Sequence, residues 1–356
     1  MRILHSADWH LDSPLVGFTP EQKQILRRAL LAVPGKIAEL CRREDCDLLL
    51  LSGDLFDGVY TKDSYLAVYT ALEEVGIPVF ISPGNHDFVT TDSPWLRERW
   101  PDNVTVFTKP YITGIDLNEP DCRIYGGGFT SMDAPAMLES FHAEDAARVN
   151  IGVLHGDPTQ INSPYCPITK KQIEDSGLAY LALGHIHKQG IVQAGNTLCA
   201  WPGCPMGRGY DEPGEKGVLL VDLQEKASAQ FIALDTPRFY DLDTEAGDDA
   251  AAAITQLLPA VGCDDFYRVT LTGPSQALDL DALEKSFSHF PNLKLRDRTT
   301  PPVDVWGSAG QDTFEGIYFS MLRSTLESDD PERSQQAALA ARISRRLLDG
   351  QEVVLP

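Results

Sequence analysis

Five short segments carry side chains of metal-ligand type in a fixed order along the chain: Asp8-Trp9-His10, Gly53-Asp54-Leu55-Phe56-Asp57, Gly84-Asn85-His86-Asp87, Leu154-His155-Gly156 and Gly184-His185-Ile186-His187. The chain has 8 histidines, and all but His5, His142 and His289 fall in these segments. Carboxylate and imidazole together suit Mn²⁺, Fe²⁺ or Zn²⁺, while the absence of thiolates from the set argues against a structural zinc site. A lone Asp-x-His or His-x-His is a weak signal, more often a loop accident or a surface pair. Five such fragments in one order are the signal. Such a set spread across about 180 residues is hard to obtain without a metal site, so the chemistry indicated is metal-dependent.

These segments need elements that bring them together. Ile3 to Ser6 reads as a short strand entering the Asp8 loop, Asp47 to Leu51 as an apolar strand ending at Ser52-Gly53-Asp54, and Pro78 to Ile81 as a strand ending at Pro83-Gly84-Asn85. Further strands are predicted at 103–107, 122–126, 149–154, 179–183, 190–200, 216–223 and 228–234. Each ligand segment thus lies at or just after a strand end, where loops gather residues distant in sequence into one cleft. Gly53, Gly84 and Gly184 allow sharp turns and close backbone approach there.

Between the strands, Thr19-Pro20-Glu21-Gln22 is an N-cap, a proline at the first helical position and a capping-box glutamine. Leu26, Leu30, Val33, Ile37 and Leu40 follow at helical spacing, with Pro34 predicting a kink. A second helix spans 64–75. Early alternation of strand and helix, followed by mostly strand over 179–234, predicts sheets packed together with helices outside.

Thr236-Pro237 marks a boundary, giving a catalytic domain over 1–237. A small α+β unit follows over 238–302, with strands at 238–243, 266–272 and 293–298 and helices at 248–258 and 279–288. Two helices complete the chain over 303–356. Phe314, Ile317, Tyr318, Met321 and Leu322 line the first, and Leu339, Ile343 and Leu347 the second. Such stripes read as core before partner surface.

The formal net charge of −22 is unusual for a polynucleotide binder, which recruits phosphates with Lys and Arg. Contact with nucleic acid then requires a local basic patch, bound cations or a partner. Lys294, Arg296 and Arg298 alternate on one predicted strand and form the best such patch, although a solvated, charge-protected edge strand is the simpler reading of them. The 7 cysteines are odd in number and lack CxxC spacing, which excludes a disulfide framework or zinc knuckle and fits a reducing cytoplasm. No apolar run approaches membrane-spanning length, and the opening Met1-Arg2-Ile3-Leu4-His5 reads as strand, not leader.

The ordered segments closely resemble the signature of the calcineurin-like metallophosphoesterases: DxH, GDxxD, GNHD, a lone His and GHxH, across roughly residues 1–235. The resemblance implies a four-layer α-β-β-α sandwich of the α/β class. It also implies that Asp8, His10 and His187 hold one metal and Asn85, His155 and His185 the other, with Asp54 bridging. His86 matches the family's non-ligand histidine that faces substrate, and Asp57 the acid that steadies it. Asp57 and Asp87 equally suit turns, as carboxylates capping nearby backbone. His5 reads as a packed strand histidine, and His142 and His289 as surface.

Within the family, Ile3–Asp12, Ser52–Asp57, Tyr180–His187 and Trp201–Pro205 followed by Glu212–Gly217 resemble the SbcD/YhaO-like DNA-repair exonuclease branch. That resemblance implies Mn²⁺-dependent 3′–5′ exonuclease and single-strand endonuclease activity on DNA. It further implies a capping domain that chooses among DNA substrates, a homodimer, and terminal helices that dock on an SMC-like ATPase. A phosphodiesterase for small or cyclic nucleotides and a non-catalytic scaffold are the alternatives.

Overall fold

The computed structural model describes residues 1–144, 148–224, 227–302, 304–327 and 330–350. The chain runs β1 (Arg2–Ser6), α1 (Pro20–Arg43), β2 (Leu48–Leu51), α2 (Lys62–Val75), β3 (Val79–Ile81), α3 (Pro94–Arg97), β4 (Val104–Val106), β5 (Thr113–Leu117), β6 (Cys122–Gly126) and β7 (Val149–His155). It continues α4 (Lys170–Asp175), β8 (Tyr180–Gly184), β9 (Gly190–Ala194), β10 (Thr197–Trp201), β11 (Gly217–Leu223), β12 (Ala227–Ala233), β13 (Phe239–Glu245), α5 (Ala250–Leu257), β14 (Phe266–Thr272), α6 (Leu280–Ser286), β15 (Leu293–Asp297), α7 (Phe314–Leu326) and α8 (Pro331–Leu348).

Two compact units result. The first comprises Met1–Asp241, Cys263–Arg268 and Phe290–Asn292. It holds two six-stranded sheets, ordered β12-β11-β1-β2-β3-β4 and β5-β6-β7-β8-β10-β9. Side chains alternate across each strand, and that alternation separates the cores. Ile3, Leu48, Leu50 and Phe80 of the first sheet meet Ile124, Ile151, Val153, Tyr180 and Ala182 of the second in one buried layer. The opposite face of the first sheet presents Leu4, Leu49, Leu51, Val79 and Ile81 to Leu26, Leu30, Val33 and Ile37 of α1 and Val68 and Leu72 of α2. The second sheet's outer face carries Leu154, Leu181, Leu183 and Cys199 against Leu138, Cys166, Ile168 and Ile173. This is the α-β-β-α sandwich, with the fourth layer built from the short α4 and the loops around it.

The capping box at Thr19 and Gln22 forms as read from the sequence, and α1 continues through Pro34. The single strand expected over 190–200 is instead the antiparallel hairpin β9–β10, with Thr197 paired to Ala194 and Gly195 at φ +56° in the two-residue turn. Gly195-Asn196 is a two-residue turn signal in the sequence, and an expectation of one strand over 190–200 leaves it out of account. Elements β5, α3 and α4 lie outside the expected set; they are short or lack an apolar face of clear period. All seven cysteines are free. No helix among the described residues is long and apolar enough to cross a membrane.

The second unit comprises Leu242–Gly262, Val269–His289 and Leu293–Pro356, with 303, 328–329 and 351–356 outside the described residues. Within it α7 and α8 pair through Tyr318 and Ser344 (Oη–Oγ 2.8 Å), Glu315 and Arg345 (2.6 Å), and Arg345 over the Phe319 ring. The expected core stripe on α7 holds only in part: Phe314 is 89 % exposed, Ile317 55 % and Met321 67 %, whereas Tyr318 and Leu322 are half-buried. Gly316 and Phe319 face inward on α7, and Ala337 and Ala341 on α8. Gly316, Ala337 and Ala341 let the two helices approach around the buried Phe319 ring, and Phe314, Ile317 and Met321 are left outside.

Candidate metal centre

Strands β1, β2 and β3 are mutually parallel, as are β7 and β8. Their C-terminal ends carry the ligand segments: Asp8 and His10 after β1, Asp54 and Asp57 after β2, Asn85 and His86 after β3, His155 closing β7, and His185 and His187 after β8. The first two loops are joined by backbone bonds from His10 N to Asp54 O (2.9 Å), Leu11 N to Leu55 O (2.9 Å) and Asp57 N to Leu11 O (2.9 Å). Asp87 ties the third loop to the second, accepting from the amides of Gly84 (2.7 Å) and Leu55 (2.7 Å). Between the two sequence readings of Asp87, the structure therefore takes the backbone-capping one.

Close packing of the loops depends on glycine and on strained backbone. A Cβ on Gly84 would strike the Asp54 carboxylate, and one on Gly184 the Ser52 carbonyl. Asp8 (φ +55°), His10 (+46°), Asp54 (+53°) and His185 (+92°) all lie in the left-handed region. Each such non-glycine conformation costs about 1–3 kcal/mol and persists only where surrounding structure enforces it.

The side chains converge. Donor atoms of Asp8, His10 and His187 lie within 4.8 Å of one another, as do those of Asp8, Asp54 and His155, and those of His10, Asp54 and His86. Asp54 is central, its Oδ2 standing 3.7 Å from His10 Nε2 on one side and 3.4 Å from His155 Nε2 on the other. Its Oδ1 accepts the His86 amide (2.8 Å). Asn85 Oδ1 completes the second group, 2.9 Å from His155 Nε2 and 3.2 Å from His185 Nδ1. The Asp8 carboxylate accepts the His185 amide (3.0 Å).

Tautomers show what this arrangement can hold. His155 Nδ1 donates to the Ser52 carbonyl (2.8 Å), so its Nε2 presents a lone pair to Asn85 Oδ1, itself an acceptor. His10 Nδ1 bonds Asp57 (3.2 Å) and His187 Nδ1 bonds Glu212 (2.6 Å), which leaves two Nε2 atoms facing each other at 3.1 Å. Acceptors this close require a proton or a cation between them. Burial drives His155 down to about 3 and His10 and His185 to about 4, keeping these imidazoles neutral, the form that ligates metal. Burial also pushes Asp8 up to about 7. The donor set fits two divalent cations.

His86 differs from the rest. Its side chain is 44 % exposed, and Nδ1 lies 2.7 Å from Asp57 Oδ1. The Asp57 hydrogen bond raises the His86 pKa, and burial opposes it. Burial alone would raise Asp57, but the His10 and His86 bonds hold it well below the usual carboxylate range. His5 packs in the core against Tyr180 (2.7 Å) and Ser52, as expected from its strand position. His142 and His289 are exposed. Glu212 and Arg208 are site residues that sequence reasoning missed. They lie in a Gly/Pro-rich loop whose spacing says nothing of its distance from His187.

The family model for calcineurin-like phosphoesterases matches residues 1–189, and the chain belongs to that family. Among curated relatives, the uncharacterized metallophosphoesterase YhaO of Bacillus subtilis is 32 % identical over 234 residues, covering 62 % of this chain and 57 % of YhaO. The D subunit of the nuclease SbcCD from Bacillus subtilis is 24 % identical over 285 residues (66 % of this chain, 70 % of that protein). Its counterpart from Rhodobacter capsulatus is 26 % identical over 293 residues (67 % and 70 %). The chain thus spans little more than half the length of YhaO.

Proposed function

We propose that this protein is a dinuclear-metal phosphodiesterase whose substrate is DNA, a Mn²⁺-dependent 3′–5′ exonuclease and single-strand endonuclease. In this reading Asp8, His10 and His187 hold one ion, Asn85, His155 and His185 the other, and Asp54 bridges them. The observation that carries it is the position of Asp54 Oδ2 between two groups of neutral, inward-facing donors. Bound divalent ions would supply Lewis acidity toward phosphate oxygens and toward water. The protein supplies orientation and a proton. With Nδ1 held by Asp57, a protonated His86 keeps Nε2–H as the proton it can pass to the departing alkoxide.

The choice of DNA rests on the two SbcCD nuclease relatives and on one basic stripe. Lys294, Arg296 and Arg298 are all exposed along and just beyond β15, with Leu295 turned inward. Exposed Phe314, Ile317 and Met321 on α7 offer a surface for the coiled coil of an SMC-like ATPase, and a homodimer is part of the same reading.

The test is cleavage by protein purified with Mn²⁺, comparing linear duplex DNA, single-stranded DNA, cyclic nucleotides and a chromogenic phosphodiester, with His86→Ala as control. Metal-dependent loss of DNA ends is the expected result. Activity on small diesters alone would overturn the DNA assignment, and no metal-dependent activity would favour a scaffold.

A further inference from the structure

We infer that Glu212, held by Arg208, is a positioning residue for His187, and that this pair sets the occupancy of one metal position. The inference rests on the dinuclear reading above and goes beyond it by assigning residues that lie outside every ligand segment.

Glu212 is 8 % exposed, and Arg208 is mostly buried beside it. One carboxylate oxygen, Oε1, receives two groups: His187 Nδ1 at 2.6 Å and Arg208 Nη2 at 2.8 Å. The other, Oε2, accepts the Arg208 backbone amide at 2.8 Å. Arg208 Nη2 also comes within 3.2 Å of His187 Nδ1. That contact cannot decide the tautomer the other way. A carboxylate oxygen has only lone pairs to offer, so at 2.6 Å the hydrogen sits on Nδ1, and the guanidinium and imidazole both donate to Oε1. His187 Nε2 is thereby the free lone pair, aimed at His10 Nε2.

The same loop grips the His187 backbone. A Cβ on Gly203 would lie 2.6 Å from the His187 carbonyl, and Cys204 N bonds that oxygen at 3.4 Å. Both ends of His187 are therefore fixed by residues 203–212. Asp57 does the same for His10 through its Nδ1. The two imidazoles of one metal position are each oriented by a carboxylate, but the two carboxylates come from loops 155 residues apart in sequence, Asp57 and Glu212.

The test is Mn²⁺ titration of the metal-free full chain with no substrate present, followed by calorimetry and by EPR of the exchange-coupled ion pair. Glu212→Ala should weaken one of two Mn²⁺ sites about 10–100-fold and abolish the coupled signal at sub-saturating metal. Glu212→Gln keeps an acceptor oxygen for Nδ1–H and should restore most of that loss, whereas Arg208→Met should fall between. Wild-type affinity at both sites in Glu212→Ala overturns the inference, as does equal weakening of both sites. Should Glu212→Ala fail to fold, Arg208→Met losing affinity at one site supports the inference and Arg208→Met binding as wild type overturns it. A wrong substrate leaves these results standing. Wild-type protein that takes up fewer than two Mn²⁺ overturns the dinuclear reading and this inference together.

Discussion

Asp57 Oδ1 lies 2.7 Å from His86 Nδ1, and the same oxygen reaches His10 Nδ1 at 3.2 Å. One carboxylate thus couples a buried imidazole of the metal centre to the half-exposed imidazole proposed as acid. The two roles separate by mutation. His86→Ala should lower turnover about 10²–10⁴-fold and leave Mn²⁺ affinity unchanged. Asp57→Ala should lower turnover and also weaken Mn²⁺ binding about 10–100-fold. Metal affinity measured for both variants checks this, and equal affinities would refute the shared role.

Metal uptake should depend on pH through Asp8. Burial holds its pKa at about 7, so near neutrality the metal-free centre carries a proton that a cation must displace. Apparent Mn²⁺ affinity is expected to fall from pH 8 to pH 6. Calorimetry in two buffers of different ionisation enthalpy should register proton release; uptake independent of buffer and pH would contradict it.

Acid should also unfold the metal-free protein early. His5 and His155 are fully buried, with burial lowering both to about 3. In the unfolded chain each takes up a proton below about 6.5. Their contribution is therefore complete above pH 6.5 and is lost as pH falls toward 3, at about 1.4 kcal/mol per pH unit for each group. Asp8 and Asp87, both raised by burial to about 7, oppose this loss between about pH 7 and 4, but His10 and His185, lowered to about 4, add to it. The net stability in chelator should therefore still decline below about pH 6.5. Replacing His5, which bonds no metal-centre residue, with Gln should reduce that slope by one proton.

Close approach at the strand ends predicts that two glycine substitutions of similar cost differ in their effect on metal binding. Gly184→Ala drives a Cβ into the Ser52 carbonyl and should cost about 1–3 kcal/mol, with loss of metal binding. Gly58→Ala meets no atom within 4 Å and is strained only by φ +80°, about 1–2 kcal/mol, with metal binding retained. Thermal melts paired with Mn²⁺ titration distinguish them.

If DNA is the substrate, the β15 stripe should carry part of its attraction. Neutralising Lys294, Arg296 and Arg298 to Gln should reduce the slope of log affinity against log salt by about 2–3. An unchanged slope would place the phosphate contacts elsewhere.

Much of this protein was legible from residue order alone. Strands ending in Gly-Asp, Gly-Asn-His and Gly-His-x-His announce where the ligands lie, because strand ends are where loops meet, and apolar runs of strand and helical period recovered most of the sandwich. Periodicity failed where apolar residues serve no core, at Phe314 and Met321, and at Gly195 the reversal is signalled by the Gly-Asn dipeptide and not by apolar spacing. The tertiary structure alone decided Asp87's place as a backbone cap, Asp54's position between two donor groups, and the union of Glu212 and Arg208 with His187. Local sequence sets propensity and ligand type. Which carboxylate orients which imidazole depends on loops brought together only when two separate sheets stack, and no spacing along the chain encodes that distance.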